Sequence, residues 1–143
     1  MQPQAKCTCY YEGMKGKTDA ETTIAELKQL VAQFSRERNW GKHRGPKNLA
    51  MNIAIEAAEL MEHYVWERDG DPDKAEVADE LADIVFNCLN FAATQDIDIS
   101  TAFMSKFERL QKKYPTEIFN DTNDSLDDYQ KIKQRYRAGQ TNN

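Results

Sequence analysis

Two acidic pairs supply the residues of this sequence that are best suited to chemistry. Glu56 and Glu59 form the first pair, and Glu80 and Asp83 form the second, each with its carboxylates three residues apart. On a helix, that spacing places both side chains on one face. The segments around both pairs are rich in large apolar residues, so we expect these helices to be largely buried. Buried carboxylates are costly unless they are paired, hydrogen-bonded or bound to metal. Four converging carboxylates therefore predict a cation site.

The polar residues of both acidic segments recur at spacings of three and four residues, which alternate strictly in the second segment. Residues with this spacing form one stripe along a helix, and in coiled coils that stripe is normally apolar. In the second segment its members are Glu76, Glu80, Asp83, Asn87, Asn90 and Thr94. In the first segment they are Asn48, Asn52, Glu56, Glu59, His63 and Trp66. We predict that these two polar stripes face each other across a helix pair. The alternative is that both are the solvent faces of ordinary amphipathic helices.

The ligand types favour a hard divalent cation. Carboxylate oxygens without cysteine suit Mg²⁺, or Mn²⁺ in its place, better than zinc, and Mg²⁺ held in this way takes further ligands from substrate phosphates. Two such ions could activate a water and stabilise the leaving oxygen of a phosphoryl displacement. A di-iron site of the ferritin type needs Glu-x-x-His on two helices. Because His63 stands four residues after Glu59, we interpret it as a packed or neighbouring residue rather than a ligand.

A loop before the first acidic segment carries aromatic and cationic side chains. It consists of Trp40, Gly41, Lys42, His43, Arg44, Gly45 and Pro46, and its glycines and proline interrupt the preceding helix. This loop suits an anionic ligand that contains a ring, because tryptophan can stack against a base. Trp66 lies on the other side of the same acidic segment. The alternative is a solvated turn over a buried tryptophan.

Helical periodicity without sustained strand-like alternation predicts an all-α fold. We expect four main helices with short connections, hence a four-helix bundle, followed by a short C-terminal helix. Thr18 and Glu21 fit a capping box for the first helix, which should end near Asn39. The others are predicted over about 46–68, 73–95, 98–113 and 125–137. The predicted domains are a flexible N-terminal arm over 1–17, the bundle over 18–115, and an extension with the short helix over 116–143.

The composition excludes several classes of protein. The 143 residues suit a single domain, and the net charge of −5 argues against binding to a nucleic acid polymer or an anionic membrane. No apolar run is long enough to cross a membrane, and the N-terminal residues lack the apolar stretch of a secretory signal. Three cysteines do not make a disulfide framework, so we expect a cytoplasmic protein. Cys7 and Cys9 lack further ligands for a metal clip.

The ordered combination of these features resembles the MazG-like group of all-α nucleoside triphosphate pyrophosphatases. Glu56-x-x-Glu59 followed by Glu80-x-x-Asp83 looks like the paired acidic signature of that group. Further segments resemble its dCTP pyrophosphatase branch: Arg38-Asn39-Trp40, Pro46-Lys47-Asn48-Leu49, Trp66 and Lys112-Lys113-Tyr114-Pro115. The resemblance covers about residues 20–115.

The resemblance implies a Mg²⁺-dependent enzyme that hydrolyses a nucleoside triphosphate to the monophosphate and pyrophosphate, a house-cleaning activity on the nucleotide pool. The four acidic residues would hold the metal, and one of their carboxylates would assist the attacking water. Trp40 to Arg44 and Trp66 would line the nucleotide pocket, with Asn87 and Lys106 as further substrate-binding residues. Members of the group form dimers or tetramers, so a homodimer or homotetramer is implied. The competing hypotheses are a non-catalytic helical interaction module and a di-metal redox protein.

Three positions depart from the dCTP branch. Those enzymes have a histidine four residues after the first tryptophan, where this sequence has Arg44, with His43 one position earlier. A tyrosine is expected at Asn87, and an asparagine is expected at Leu110, four residues after Lys106. The metal site is therefore better supported than the base preference. Deoxycytidine nucleotides are the first expectation, with other pyrimidine or modified nucleotides left open.

Overall fold

The computed structural model describes residues 7–42, 45–65, 72–116 and 126–139, with the side chains of 7–9, 42 and 126–128 left aside. Over these ranges the regular structure is helical, which confirms the predicted all-α class. Six α-helices and one short 3₁₀ turn follow in the order α1 (Cys7–Met14), α2 (Ile24–Glu37), the 3₁₀ turn (Trp40–Lys42), α3 (Pro46–Val65), α4 (Lys74–Thr94), α5 (Ile99–Lys113) and α6 (Leu126–Arg137).

The helices group into two compact units. Helices α1 to α4 belong to the unit that ends at Asp98, and α5 and α6 belong to the unit that begins at Ile99. Within the first unit, α4 packs against both α3 and α2. The four main helices were expected in one bundle over 18–115; that count and those domain bounds stay a prediction. No helix of the described ranges is long and apolar enough to cross a membrane.

Helix α2 begins five residues later than the capping-box pattern predicted. Its N-cap is Thr23, whose hydroxyl accepts a hydrogen bond from the backbone N–H of Glu26, while the Glu26 carboxylate accepts one from the backbone N–H of Thr23. Thr18 and Glu21 make the same kind of contact, but they close an isolated turn before the helix. The sequence holds two successive T-x-x-E patterns, at 18–21 and 23–26, and only the second coincides with the start of the apolar periodicity of α2.

The acidic helices have nearly the predicted bounds. The Asp73 carboxylate caps α4 by accepting a hydrogen bond from the backbone N–H of Ala75 at 2.8 Å, which satisfies one of the free donors of the first turn. The helix ends at Thr94, and the backbone N–H of Gln95 still bonds to the oxygen of Phe91. Helix α3 begins at Pro46, as expected from the tolerance of proline in a first turn. The predicted continuation of α3 to residue 68 lies outside the described residues.

Burial is distributed differently from the prediction. The buried apolar residues of the first unit are few: Val31, Leu49, Leu89 and Ala92. The apolar flanks of α3 and α4 were expected inside, yet Met51 is 53% and Leu81 52% exposed in the single chain, and Ile55, Met61, Tyr64, Val65 and Val85 are exposed as well. The prediction of buried flanks was wrong for the single chain, because the predicted contact between the polar stripes turns the apolar flanks away from the contact between α3 and α4. The apolar flanks of both helices are therefore exposed to solvent.

Part of the predicted N-terminal arm over 1–17 is helical. Residues Cys7–Met14 form α1, which packs against α2, where an irregular segment was expected. After α1, the ammonium of Lys17 lies 3.3 Å from a carboxylate oxygen of Glu26. These contacts bring the segment onto the first turn of α2. The short C-terminal helix, α6, is present with almost the predicted bounds.

Candidate active site

Carboxylates from α3 and α4 converge between these two helices. Glu56, Glu59 and Glu80 each offer one oxygen, and the three oxygens lie within 4.8 Å of one another. Asp83 lines the same small cavity as Glu56. Four residues before the second acidic pair, a carboxylate oxygen of Glu76 lies 3.8 Å from Nδ1 of His63. The central residues of the two polar stripes therefore face each other, as predicted, while Glu59, Glu76 and Asp83 keep contact with solvent.

The electrostatics of this cluster are unfavourable without a cation. Desolvation raises the pKa of Glu56, and the negative charges of Glu59, Asp83 and Glu80 raise it further. Like charges within a few ångströms disfavour ionisation of each other in just this way. The protein has placed four carboxylates where they repel, with few hydrogen-bond donors between them. A divalent cation would relieve the repulsion, because oxygen ligands and negative charge are what Mg²⁺ and Mn²⁺ require.

Asn87 connects the two acidic helices. Its Nδ2 donates to the backbone oxygen of Asp83 at 2.9 Å and makes a longer bond to Oε1 of Glu56 at 3.4 Å. The side chain is only 4% exposed, and its Oδ1 is buried without a hydrogen-bond partner. An unpaired buried amide oxygen costs about 1–3 kcal/mol. The asparagine at this position is therefore costly to the stability of the fold.

Aromatic rings line the same small cavity as two of the carboxylates. Phe34, Trp40 and Phe86 line the small cavity, about 250 Å³ in volume, together with Asn52, Glu56, Asp83 and Asn87. The ring of Phe34 meets Trp40 edge to face at 5.2 Å between centroids, and it meets Phe86 similarly at 5.7 Å. Edge-to-face pairs of this kind add about 0.5–1.5 kcal/mol beyond burial. Phe34 therefore holds Trp40 at the edge of the acidic site.

The end of α2 explains how Trp40 reaches this position. Arg38 is the C-cap, and its guanidinium lies 3.4 Å from the centroid of the Phe34 ring. Asn39 follows with a left-handed φ of 54°, a conformation that asparagine tolerates better than most residues. Helix α2 ends before this left-handed residue. Trp40 is the first residue of the 3₁₀ turn, and its ring packs against Phe34.

A second, larger cavity of about 380 Å³ shares Trp40 with the first. It lies between α2 and α4 and contains two buried polar side chains, Ser35 and Asn90. The Ser35 hydroxyl donates to Oδ1 of Asn90 at 3.3 Å. The full lining is Ala32, Ser35, Arg36, Asn39, Trp40, Gly41, Asn90, Ala93 and Thr94.

The other predicted site residues have varied positions. Gly41 lines the larger cavity, and Lys42 ends the 3₁₀ turn. Lys106 is an exposed residue of α5, in the second unit. His43, Arg44 and Trp66 lie outside the described residues. For all of these, a substrate-binding role stays a prediction.

Several residues of the two cavities were not predicted as site residues. Asn90 belongs to the polar stripe of α4, so its spacing was a usable signal for a place beside the carboxylates. The sequence gives no comparable signal for Phe34, Phe86 and Ser35, because phenylalanine and serine are common on amphipathic helices without any functional role. Their role depends on which helix faces packed together.

Comparisons with known proteins agree with this geometry. A model of the MazG-like family matches residues 51–129, more than half of the chain, and the chain belongs to that family. A crystal structure of a pyrophosphatase from Archaeoglobus fulgidus matches with a TM-score of 0.60 and 34% identity, over 69% of this chain and 99% of the archaeal one. That protein shares the all-α architecture.

Two curated mammalian proteins are also similar. The dCTP pyrophosphatase 1 of Homo sapiens is 29% identical over 106 residues, which is 68% of this chain and 62% of the human protein. The dCTP pyrophosphatase 1 of Bos taurus is 28% identical over 107 residues, which is 69% of this chain and 63% of the bovine protein. The chain thus spans somewhat less than two thirds of the length of these relatives.

Proposed function

We propose that this protein is a metal-dependent nucleoside triphosphate pyrophosphohydrolase. The observation that carries the proposal is the carboxylate cluster of Glu56, Glu59 and Glu80 beside a cavity walled by Trp40. Membership of the MazG-like family and similarity to proteins named as pyrophosphatases support it. In the proposed reaction one water is consumed, the α–β phosphoanhydride bond breaks, and the monophosphate and pyrophosphate are released.

The four acidic residues would bind the cation and activate the attacking water next to the phosphates. Glu56, Glu59, Glu80 and Asp83 would hold the cation, for which we propose Mg²⁺ with Mn²⁺ as a substitute. The cation, when bound, supplies positive charge to the phosphate oxygens and lowers the pKa of a coordinated water. One of the four carboxylates would accept a proton from the attacking water. Asn87 would keep Glu56 in place through its Nδ2.

The organic part of the substrate would lie along the aromatic wall. Trp40 is positioned by Phe34 at the edge of the acidic cavity, and an indole face can stack a base. The loop from Gly41 to Arg44, Trp66 and Lys106 would add contacts to the nucleotide. We propose dCTP or a related pyrimidine deoxynucleotide as the substrate, a preference supported by the names of the mammalian relatives.

The exposed apolar flanks support an assembly of identical chains. Met51 and Leu81 on the acidic helices and Phe103 on α5 are each more than half exposed. Large apolar side chains that are exposed on both units typically mark an interface. We therefore propose a homodimer or homotetramer. The free thiol of Cys88 and a nucleotide substrate are consistent with a reducing, cytoplasmic location.

The test is hydrolysis of a panel of ribo- and deoxynucleoside triphosphates with Mg²⁺, with the products separated by chromatography. Monophosphate plus pyrophosphate is the expected product pair, with dCTP among the best substrates. Glu59→Gln should abolish turnover while the thermal unfolding curve still shows a folded protein. Full activity of that variant would contradict the proposal, and no hydrolysis with either Mg²⁺ or Mn²⁺ would favour the interaction module instead.

A further inference from the structure

We infer that the larger cavity, between α2 and α4, receives the nucleobase of the substrate, and that Ser35 and Asn90 contact its edge. This inference rests on the proposed function and adds to it a subsite whose polar residues lie outside the acidic cluster. Three observations support it: the course of the polar stripe along α4, the buried polar pair, and the size and lining of the cavity.

The polar stripe of α4 continues past the acidic site into this cavity. Asp83 lines the small cavity, Asn87 comes one turn later, and Asn90 lines the large cavity. Seven residues of helix correspond to about 10.5 Å along the axis. Trp40 lines both cavities, so the two meet at this residue. A nucleotide whose phosphates are held at Asp83 can therefore extend along α4 and reach Asn90 with its base.

The cavity contains a buried polar pair, Ser35 and Asn90, whose side chains come from the two helices that line it. Asn90 is 4% and Ser35 9% exposed, and they come from different helices, 55 residues apart in sequence. The Ser35 hydroxyl donates to Oδ1 of Asn90. That bond fixes the amide orientation and leaves the two N–H donors of Nδ2 outside it. Nδ2 is therefore the atom of this pair that can donate a hydrogen bond to a ligand in the cavity.

The cavity suits a planar ring that carries a carbonyl acceptor. Its volume of about 380 Å³ lies within the range of about 300–1,000 Å³ for small-molecule sites. Trp40 offers an aromatic wall, and Ala32 and Ala93 leave room between the helices. The Nδ2 donors of Asn90 match the O2 carbonyl of a pyrimidine, which cytosine and uracil share. Adenine, which has no carbonyl, would fit these donors less well.

The experiment compares two product-like ligands that differ only in the base. Calorimetric titration in Mg²⁺ would measure the affinity of dCMP and of 2-deoxyribose 5-phosphate for the wild type and three variants. Asn90→Leu removes the donors, Ser35→Ala frees the amide, and Ala93→Leu fills the cavity without touching the polar pair. Ser105→Ala, at an exposed position of α5, is the control for the serine substitution.

The wild type should bind dCMP at least about tenfold more tightly than the sugar phosphate. Asn90→Leu and Ala93→Leu should each weaken dCMP about tenfold, the order expected for one hydrogen bond or a blocked subsite, and leave the sugar phosphate unchanged. Ser35→Ala should give a smaller loss in the same direction. Equal affinity of the wild type for both ligands, or unchanged dCMP affinity in both larger variants, would overturn the inference.

The result can be separated from a failure of the proposed function. The stabilisation by Mg²⁺ in a thermal melt depends on the acidic cluster, so it reports whether each variant is folded around an intact metal site. Loss of dCMP affinity with that stabilisation retained supports the base subsite, even if no triphosphate is hydrolysed. Hydrolysis of dCTP with an unchanged KM in Asn90→Leu would uphold the enzyme and reject the subsite.

Discussion

One side-chain amide, that of Asn87, joins the two acidic pairs of the site. Its Nδ2 lies 3.4 Å from Oε1 of Glu56 on α3 and 2.9 Å from the backbone oxygen of Asp83 on its own helix. The other end of the amide, Oδ1, is buried without a partner. Asn87 therefore controls where a carboxylate of α3 lies relative to α4, at some cost to the stability of the fold.

Replacing Asn87 by leucine separates these two effects. In Asn87→Leu the lost hydrogen bonds are offset by removal of the unpaired oxygen, so the free energy of unfolding should stay within about 1 kcal/mol of the wild type. The kcat for dCTP should fall about tenfold, because Glu56 loses its link to α4. Chemical denaturation and steady-state kinetics measure the two quantities. Cys88→Ala, at the next position of α4, is the control, and an unchanged kcat in Asn87→Leu would contradict the role of the amide.

Glu56→Gln should stabilise the metal-free protein at neutral pH. The pKa of Glu56 is raised above 4.5 in the fold, so the folded state binds the proton more tightly than the unfolded state. Ionised Glu56 therefore destabilises the metal-free fold above its folded pKa, and this penalty fades as the pH falls towards 4.5. Thermal melts in EDTA between pH 5 and 8 should show a smaller decline with pH for Glu56→Gln.

The same variant should lose most of the stabilisation by Mg²⁺, because it lacks one anionic ligand. Glu62→Gln, at an exposed position of α3, is the matched control and should stay within about 0.5 kcal/mol of the wild type. A melting temperature of Glu56→Gln that rises with Mg²⁺ as much as that of the wild type would exclude Glu56 from the metal site.

The cap of α2 provides a prediction about stability that is independent of the active site. Thr23→Ala should cost about 1 kcal/mol at pH 7. Thr18→Ala should cost less than about 0.5 kcal/mol, because the Thr18 turn starts no helix. An equal loss in both variants would contradict the assignment of Thr23 as the N-cap.

The cap should also depend on pH through Glu26. Hydrogen bonds from the backbone and hydroxyl of Thr23 lower the pKa of Glu26 below 4.5. Its stabilising contribution is therefore present above pH 4.5 and is lost as the pH falls through the lowered pKa. Glu26→Gln should flatten the acid limb of the stability curve measured by urea denaturation between pH 3 and 6. An unchanged acid limb would show that the carboxylate is not linked to the fold.

The exposed apolar surface predicts an oligomer that charge can disrupt. The wild type should elute with a mass of two or four times 16.5 kDa in size-exclusion chromatography with light scattering. Met51→Glu and Phe103→Glu, at positions 53% and 64% exposed, should shift the protein towards the monomer. Lys112→Glu introduces a charge at an exposed polar position of α5 and is the control. A monomeric wild type would reject the proposed assembly.

Features encoded by local chemistry were predictable from the sequence. The ends of α4 follow from the N-cap preference of Asp73 and from the loss of periodicity after Thr94. The convergence of Glu56, Glu59 and Glu80 follows from their spacing, because a polar stripe in an apolar helix must find polar neighbours. In these cases a few adjacent residues determine the outcome.

Features that depend on how faces pair were not predictable. Met51 and Leu81 were expected inside because they are large and apolar, but burial depends on which face of α3 meets α4. The contact of Ser35 with Asn90 joins helices far apart in sequence, and neither residue type indicates a partner. The choice between Thr18 and Thr23 as the cap was decided by the position of the first apolar turn rather than by the motif.

The position of Trp40 on the wall of both cavities also makes it an optical probe. Indole emission depends on the polarity and water content of its surroundings, so metal and phosphate entering one cavity, and a base entering the other, should each change the fluorescence. Only one other tryptophan, Trp66, occurs in the chain, and Trp66→Phe would leave Trp40 as the single emitter. In such a protein the order in which the two cavities fill could be followed in real time without any added dye.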